Sequence, residues 1–475
     1  MHITLPKIIQ GGMGVGVSNW RLAQAVSKIG QLGVVSGTGL DQVLARRLQD
    51  GDLGGEVRRA LSHFPFPQMA QRILDALFIP GGKKPDEPYT PAERPALKNT
   101  RWFDELCIVS NFVEVFLARE GHANPVGINY LEKIQFPHLP SAYGAMLAGV
   151  AVVIVGAGIP VEFPGVLDML ARHEAATYTV AVADATPDTD RQRVFDPALF
   201  IEEGCTPPLL LRPDFLPIIS SDSLATMLLR RASGSVEGFV IEGPTAGGHN
   251  APPRGQMQLT EDGQPIYGPR DVVKLEAMRK VGMPFWLGGG YGSPEALRAA
   301  LAEGAAGVQV GTPFALCEES GLQPETRRAL IRKALAGEHK VVTDPLASPT
   351  GFPFKVAQLE GTLSEKDVYA SRRRICDIGY LREAYRKTDG TVGYRCPAEQ
   401  EAAYVAKGGK IEDSVGRKCI CNGLFGDIGL GQTMPNGTRE PGIVTLGDDF
   451  AGVGRFCTPD KIDYTAADAV RVILG

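Results

Sequence analysis

The segment 243–255, "GPTAGGHNAPPRG", sets His249 directly behind Gly247 and Gly248, just after the apolar run "GFVIEG". An imidazole with its usual pKa near ~6.5 can accept a proton at neutral pH, which makes His249 a candidate base or hydrogen-bonding group. A lone histidine is more often structural than catalytic, so its neighbours decide its meaning. Three further glycine-rich stretches also follow apolar runs: "QGGMG" at 10–14, "LGGGYGSPEA" at 287–296 and "QVGTPF" at 309–314. Glycine lets backbone N–H groups approach a ligand closely, and a helix opening behind the loop adds a positive end. Gly289, Gly290, Gly311 and Thr312 are therefore candidate phosphate contacts. Each motif alone could be a tight turn, whereas four at equivalent strand ends favour one shared phosphate or flavin site.

The elements that must hold these loops alternate short β-rich runs with helical patterns. Eight candidate strands are "KIIQGGM", "LGVVSG", "PVGINY", "VAVVIVGAG", "FLPIISS", "GFVIEG", "PFWLGGG" and "GVQVGTPF". Eight βα units predict an α/β fold, a TIM (β/α)8 barrel, whose site lies at the C-terminal strand ends. A doubly wound open sheet is the alternative, because periodicity does not show closure. Two insertions interrupt the series, near 54–124 and 177–212. The first holds a Pro- and charge-rich surface loop that could serve as a lid or an oligomer contact. In the second, "TYTVAVAD" and "PPLLL" both read as strands, but "FLPIISS" is the better fifth barrel strand because a helix start, "SSDSLAT", follows it. The barrel is expected over 1–340, with 341–475 as an extension packed on it rather than an independent domain.

Composition narrows the partners. The chain has 475 residues, 44% of them hydrophobic, and a formal net charge of −5 with both signs interspersed. That pattern gives no footprint for nucleic acid or an anionic membrane, so a small-molecule substrate is the default. The run "AMLAGVAVVIVGAG" is too short to span a bilayer, and the start lacks a secretory pattern, so a cytoplasmic protein is expected. Cys376, Cys396, Cys419 and Cys421 could surround zinc or an iron–sulfur cluster. Their irregular spacing favours free, partly buried thiols instead, and no metal is assigned. Cys317 reads as a small packing residue. His2, His63, His122, His138, His173 and His339 show no ligand spacing and receive no role.

The segments "KIIQGGMGVGVSNWRLAQAVSKIGQLGVVSG", "GIN", "GAGIP", "AGGH" and "LGGGYGSPEALRAALAEGAAGVQVGTPFALCEESG" together resemble the nitronate monooxygenases, formerly called 2-nitropropane dioxygenases. Flavin-dependent enoyl-acyl carrier protein reductases share much of this pattern. The resemblance covers roughly 7–321 apart from the insertions, and implies a TIM barrel with non-covalent FMN. By that resemblance Gly12 and Met13 lie beneath the flavin ring, Asn129 contacts it, and Gly247 and Gly248 flank it. Gly289 and Gly290 match the first phosphate loop; Gln309, Val310, Gly311 and Thr312 match the second. His249 matches the family histidine. Read without the resemblance, Met13 could be core and Asn129 a helix cap.

The implied reaction is oxidation of an alkyl nitronate, with molecular oxygen reoxidising FMN and His249 as base or substrate hydrogen-bonding group. The alternative is NAD(P)H-dependent reduction of an enoyl thioester, towards which "QGGM", "GAGIP" and Glu242 lean, the monooxygenases often carrying glutamine at the last position. Glu242 either contacts the flavin or holds the adjacent loop. A flavin-binding barrel without turnover is the third reading. The tail "HNAPPRG" departs from the families' short "HRG" or "HIG" and leaves the substrate open. Arg254 could steer an anion there, although a solvated loop arginine is the commoner role. A homo-oligomer is left open.

Overall fold

The computed structural model describes residues 3–434 and 436–475; His2 lies outside the described residues. Eight parallel strands form one sheet: β1 (Ile8–Gln10), β2 (Gly33–Ser36), β3 (Val126–Leu131), β4 (Val152–Gly156), β5 (Asp214–Ile219), β6 (Phe239–Glu242), β7 (Phe285–Gly288) and β8 (Gly307–Val310). Each of β2 to β8 pairs with its neighbour in chain order, and β8 returns to β1 through Ile8↔Val308. A parallel bridge, Ile9↔Leu32, brings β1 against the start of β2. Gln10 N–H donates to the Leu32 carbonyl (2.9 Å) and Leu32 N–H to that of Ile8 (3.1 Å). The strand order therefore runs around a (β/α)8 barrel, and the open-sheet alternative falls away.

Alternation along the strands explains the packing. Ile9, Val34, Val152, Ile154, Leu216, Val240 and Trp286 form an inner cluster, while neighbours such as Ile8, Val35, Val153 and Phe215 face the helices in the large outer core. Local signals start the helices. Asn19 caps Trp20–Lys28 by accepting from Leu22 N–H. Ser221 caps Asp222–Arg231 and Ser293 caps Pro294–Ala302, whose first residue suits a helix start.

The insertions differ from their sequence reading. Region 54–124 contains the helices Glu56–Leu61 and Pro67–Leu77, then Arg101–Arg119, a helix buried along most of its length. It packs on the helix His138–Leu147, so this helical part of the insertion belongs to the barrel core. In the second insertion, Ala176–Thr179 pairs antiparallel with Gln192–Phe195, and "PPLLL", expected as a strand, forms none. Leu209 and Leu211 are exposed, and prolines 207 and 208 cannot donate to a ladder. The fifth barrel strand is β5, which overlaps the stretch expected for it.

The extension contains an antiparallel pair, Val341–Asp344 with Phe354–Ala357, a hairpin, Glu383–Arg386 with Val392–Arg395, and the helices Ile420–Asp427 and Ala466–Leu474. Its side chains Phe354, Leu363, Ile378, Ile420 and Phe425 share one apolar cluster with Val15 and Ile134 of the barrel loops and Val43 of the helix Leu40–Gln49. Arg46 and Asp377 add a buried ion pair across the same junction at 2.8 Å. Such shared burial joins the two regions over their strand-end face. Among the described residues, no helix is long and apolar enough to cross a membrane.

Candidate active site

The C-terminal strand ends open into a cavity of about 1470 Å³, its solvent mouth included. Gly12, Met13, Asn129, Glu242, Gly247, Gly248, His249, Gly289, Gly290, Gln309, Val310, Gly311 and Thr312 all line it. Residues from five strand ends, dispersed over three hundred positions, thus meet on one wall.

Two polar side chains set the first loop. Gln10 donates to Ser18 Oγ (2.8 Å) and accepts from Val34 N–H (3.0 Å). Ser18 Oγ donates to the Gly11 carbonyl and receives Met13 N–H, both at 2.8 Å. A Cβ on Gly12 would overlap the Asn129 side chain, so the backbone of one and the amide of the other form a single surface. Asn129 lies within β3 and caps no helix; its amide reaches only the Tyr130 carbonyl, at 3.4 Å. Met13 is half-buried, at the edge of the large core.

The loops after β7 and β8 have the form that phosphate sites of such barrels take. Gly289 and Gly290 take φ of +93° and +80°, a region that disfavours side chains. Gly311 caps the short helix Thr312–Ala315, matching the small extra helix after the last strand on which barrel phosphate sites are built. The extension already occupies part of this cradle. Thr312 Oγ1 accepts from Gly447 N–H at 2.9 Å. Asp449 accepts from Gly292 N–H, and burial raises its pKa. A phosphate would therefore rely on the loops of Gly289, Gly290 and Gly311.

Elsewhere in the cavity, Gln309 donates to Glu242 Oε1 at 3.0 Å. Burial pushes the Glu242 carboxyl up to about 7 despite this bond. Glu242 thus bonds across to a strand side chain rather than to its own loop. Gln309 Oε1 is buried without a partner. An orphaned acceptor beside a glycine cradle suits a planar ligand with an N–H edge and a phosphate tail, and the residues present fit FMN.

His249 is held from the extension. Its Nε2 lies 2.6 Å from Ser348 Oγ, which meets Thr350 Oγ1 at 2.8 Å. Lys355 N–H donates to Gly248 O (3.0 Å) and Asn250 N–H to Pro353 O (2.9 Å), while Gly248 N–H reaches Thr445 Oγ1 at 2.8 Å. Burial first, and the charge of Lys133 second, hold the imidazole pKa well below its usual value. Burial thus makes this imidazole a weaker base than one with the usual pKa near ~6.5.

Lys133 carries no motif and was not singled out by the sequence. Its ammonium lies 3.5 Å from the Phe352 ring centre and is buried with no hydrogen-bond partner. Burial pushes its pKa down to about 7. It lines a second cavity, about 1060 Å³ with its mouth, which shares Ala157, Ile218, Glu242 and His249 with the first. Arg254 lines this cavity too, exposed and bonded to the Ser220 carbonyl at 3.3 Å. Ser348, Thr445, Gly447 and Asp449 also escaped sequence reading, because they lie in aperiodic extension loops.

Comparison with known proteins bears on these features. Residues 214–345, which carry β5 to β8, match the family model described as "Nitronate monooxygenase". The nitronate monooxygenase of Pseudomonas aeruginosa PAO1 is 28% identical over 195 residues, covering 33% of this chain and 54% of that protein. The (3aS,4S,5R,7aS)-5-hydroxy-7a-methyl-1-oxo-octahydro-1H-indene-4-carboxyl-CoA dehydrogenase of Mycobacterium tuberculosis H37Rv is 29% identical over 157 residues, covering 33% of this chain and 39% of that protein. The chain thus spans about half or less of the length of the curated relatives it matches. Among solved structures, FabK from Thermotoga maritima aligns over 99% of this chain and 92% of its own, with a TM-score of 0.48 and 17% identity.

Proposed function

We propose that this chain, whose residues 214–345 match the nitronate monooxygenase family model, is an FMN-dependent oxidoreductase that oxidises an alkyl nitronate at the junction of its two cavities. Bound FMN would supply two-electron redox chemistry and deliver the electrons to molecular oxygen. The glycine loops at Gly289, Gly290 and Gly311 would hold its phosphate, and Gly12, Asn129 and Gln309 its ring. The observation that carries the reading is that Lys133, whose buried ammonium has no hydrogen-bond partner, lines the second cavity together with His249, which borders both cavities. A nitronate is already an anion, so a weakly basic imidazole is no obstacle: its ring positions the substrate by hydrogen bonding. Lys133 faces the nitronate oxygens and offsets their charge, at a site where few water molecules screen it.

A second reading is reduction of an enoyl thioester, which the same ammonium favours for a specific reason. An ammonium with a pKa of about 7 can hold a thioester oxygen and release a proton near neutral pH. Flavin content and oxygen uptake distinguish the readings. The purified protein should carry close to one FMN per chain and consume oxygen on adding a primary or secondary nitronate; FMN-loaded protein that consumes none, yet oxidises NADH or NADPH with an enoyl thioester, reverses the assignment.

A further inference from the structure

One wall of the first cavity is built by neither the glycine loops nor the histidine loop. Ile378, Leu381, Ile420 and Phe425 of the extension line it together with Val15 and Ile134 of the barrel loops. All of these belong to one apolar cluster, and Leu131 and Leu424, which also line the cavity, pack against it partly buried. None of these side chains is charged. The polar groups set among them have little to offer a ligand: the Tyr380 hydroxyl donates to Asp41, and burial pushes the Cys421 thiol well above its usual pKa, so it stays a small neutral group. Such a surface gives a ligand apolar contact and few hydrogen bonds.

The barrel holds this wall in place. The Arg46 guanidinium carbon lies 4.9 Å from the centre of the Phe425 ring, and a Cβ on Gly39, another lining residue, would meet that ring at 3.3 Å. The wall also reaches the reacting end of the site. The ring centres of His249 and Phe354 are 4.8 Å apart, and Phe354 belongs to the same apolar cluster and lines the same cavity. His249 in turn borders the second cavity, which Lys133 lines. One surface therefore runs from the ammonium and the imidazole past Phe354 onto aliphatic side chains.

We propose that this wall receives a hydrocarbon tail, so that the substrate is an anion with its charged head between Lys133 and His249 and an aliphatic chain of several carbons laid against the extension. The proposal rests on the nitronate reading for its head group and narrows it: the favoured substrates are nitronates of longer straight-chain nitroalkanes. Leu381 and Leu424 set the chain length, since both project from the extension into the cavity lining. Each methylene that leaves water there strengthens binding by about twofold to fourfold.

Straight-chain carboxylates from acetate to decanoate test this, because a carboxylate shares the planar, two-oxygen anionic head of a nitronate and is not oxidised. Titrated calorimetrically into the full-length protein with FMN added, at pH ~6 where Lys133 is cationic, they should bind about twofold to fourfold more tightly per methylene through octanoate. Leu424→Trp fills the wall and should end that gain at a shorter chain, with thermal unfolding to show that the fold is kept. If the variant does not fold, the wild-type series decides alone. No binding, affinity that does not rise with chain length, or a rise that folded Leu424→Trp leaves untouched would overturn the proposal. Oxygen uptake with a nitronate reports separately on the reading beneath it. A steep carboxylate series in protein that oxidises no nitronate keeps the tail site and removes the nitronate; a flat series in protein that does oxidise one removes the tail site alone.

Discussion

Lys133 and His249 share one wall, and the ammonium lowers the proton affinity of the imidazole. Burial gives Lys133 a pKa of about 7, so it is cationic below that pH and neutral above it. If the cation offsets nitronate charge, kcat/KM for a preformed nitronate falls as pH rises through about 7. Lys133→Met should lower kcat/KM by roughly tenfold to a hundredfold at pH ~6 and remove that limb. Glu242 also has a pKa of about 7, so Glu242→Gln is the control: the limb should persist there, and its loss would transfer the titration to the carboxyl. His249→Ala should keep FMN and lose roughly a hundredfold in kcat/KM; wild-type turnover would reduce His249 to a structural residue held by Ser348.

At the scale of elements, the glycine loops do work that no side chain can replace. An added Cβ on Gly289 would lie 2.7 Å from Thr245 Oγ1 and 2.9 Å from Ala246 N, on a backbone with φ of +93°. Gly289→Ala should therefore displace the loop and weaken FMN binding by roughly tenfold or more, read by flavin fluorescence titration. Gly290→Ala meets a less crowded space, with Thr245 Oγ1 at 3.9 Å, but takes an equally strained φ, so it should cost less. These loops were legible in the sequence because glycine, strand end and helix cap sit side by side in "LGGGYGSPEA". The eight strands were legible for the same local reason, as apolar runs ending in small residues. Lys133 was not, since only folding shows that an ordinary lysine after β3 ends up beneath Phe352. Nor was the hairpin partner of Ala176–Thr179, a polar strand whose pairing is set by tertiary contact. Ser348 and Gly447 reach the site across long loops and leave no periodic trace.

Across the whole molecule, the extension is part of the site rather than an appendage. It fixes the histidine loop by backbone bonds, takes up the Thr312 hydroxyl and shares an apolar cluster with barrel loops. The Arg46–Asp377 pair lies at this joint, and Arg46 also donates to the Leu430 carbonyl at 2.5 Å. Arg46→Met leaves Asp377 and that carbonyl short of a donor, and should cost about 3 kcal/mol in urea unfolding. FMN affinity should fall with it, because the joint also supports the cavity; a variant with unchanged stability would mean that the extension is only loosely attached. In the proposed reaction, electrons enter this site from a nitronate. Mixing the FMN-loaded protein anaerobically with a nitronate tests this most directly: the account predicts rapid bleaching of the flavin absorbance, with NADH and NADPH leaving it unchanged. Bleaching by a reduced nicotinamide and not by the nitronate would contradict it.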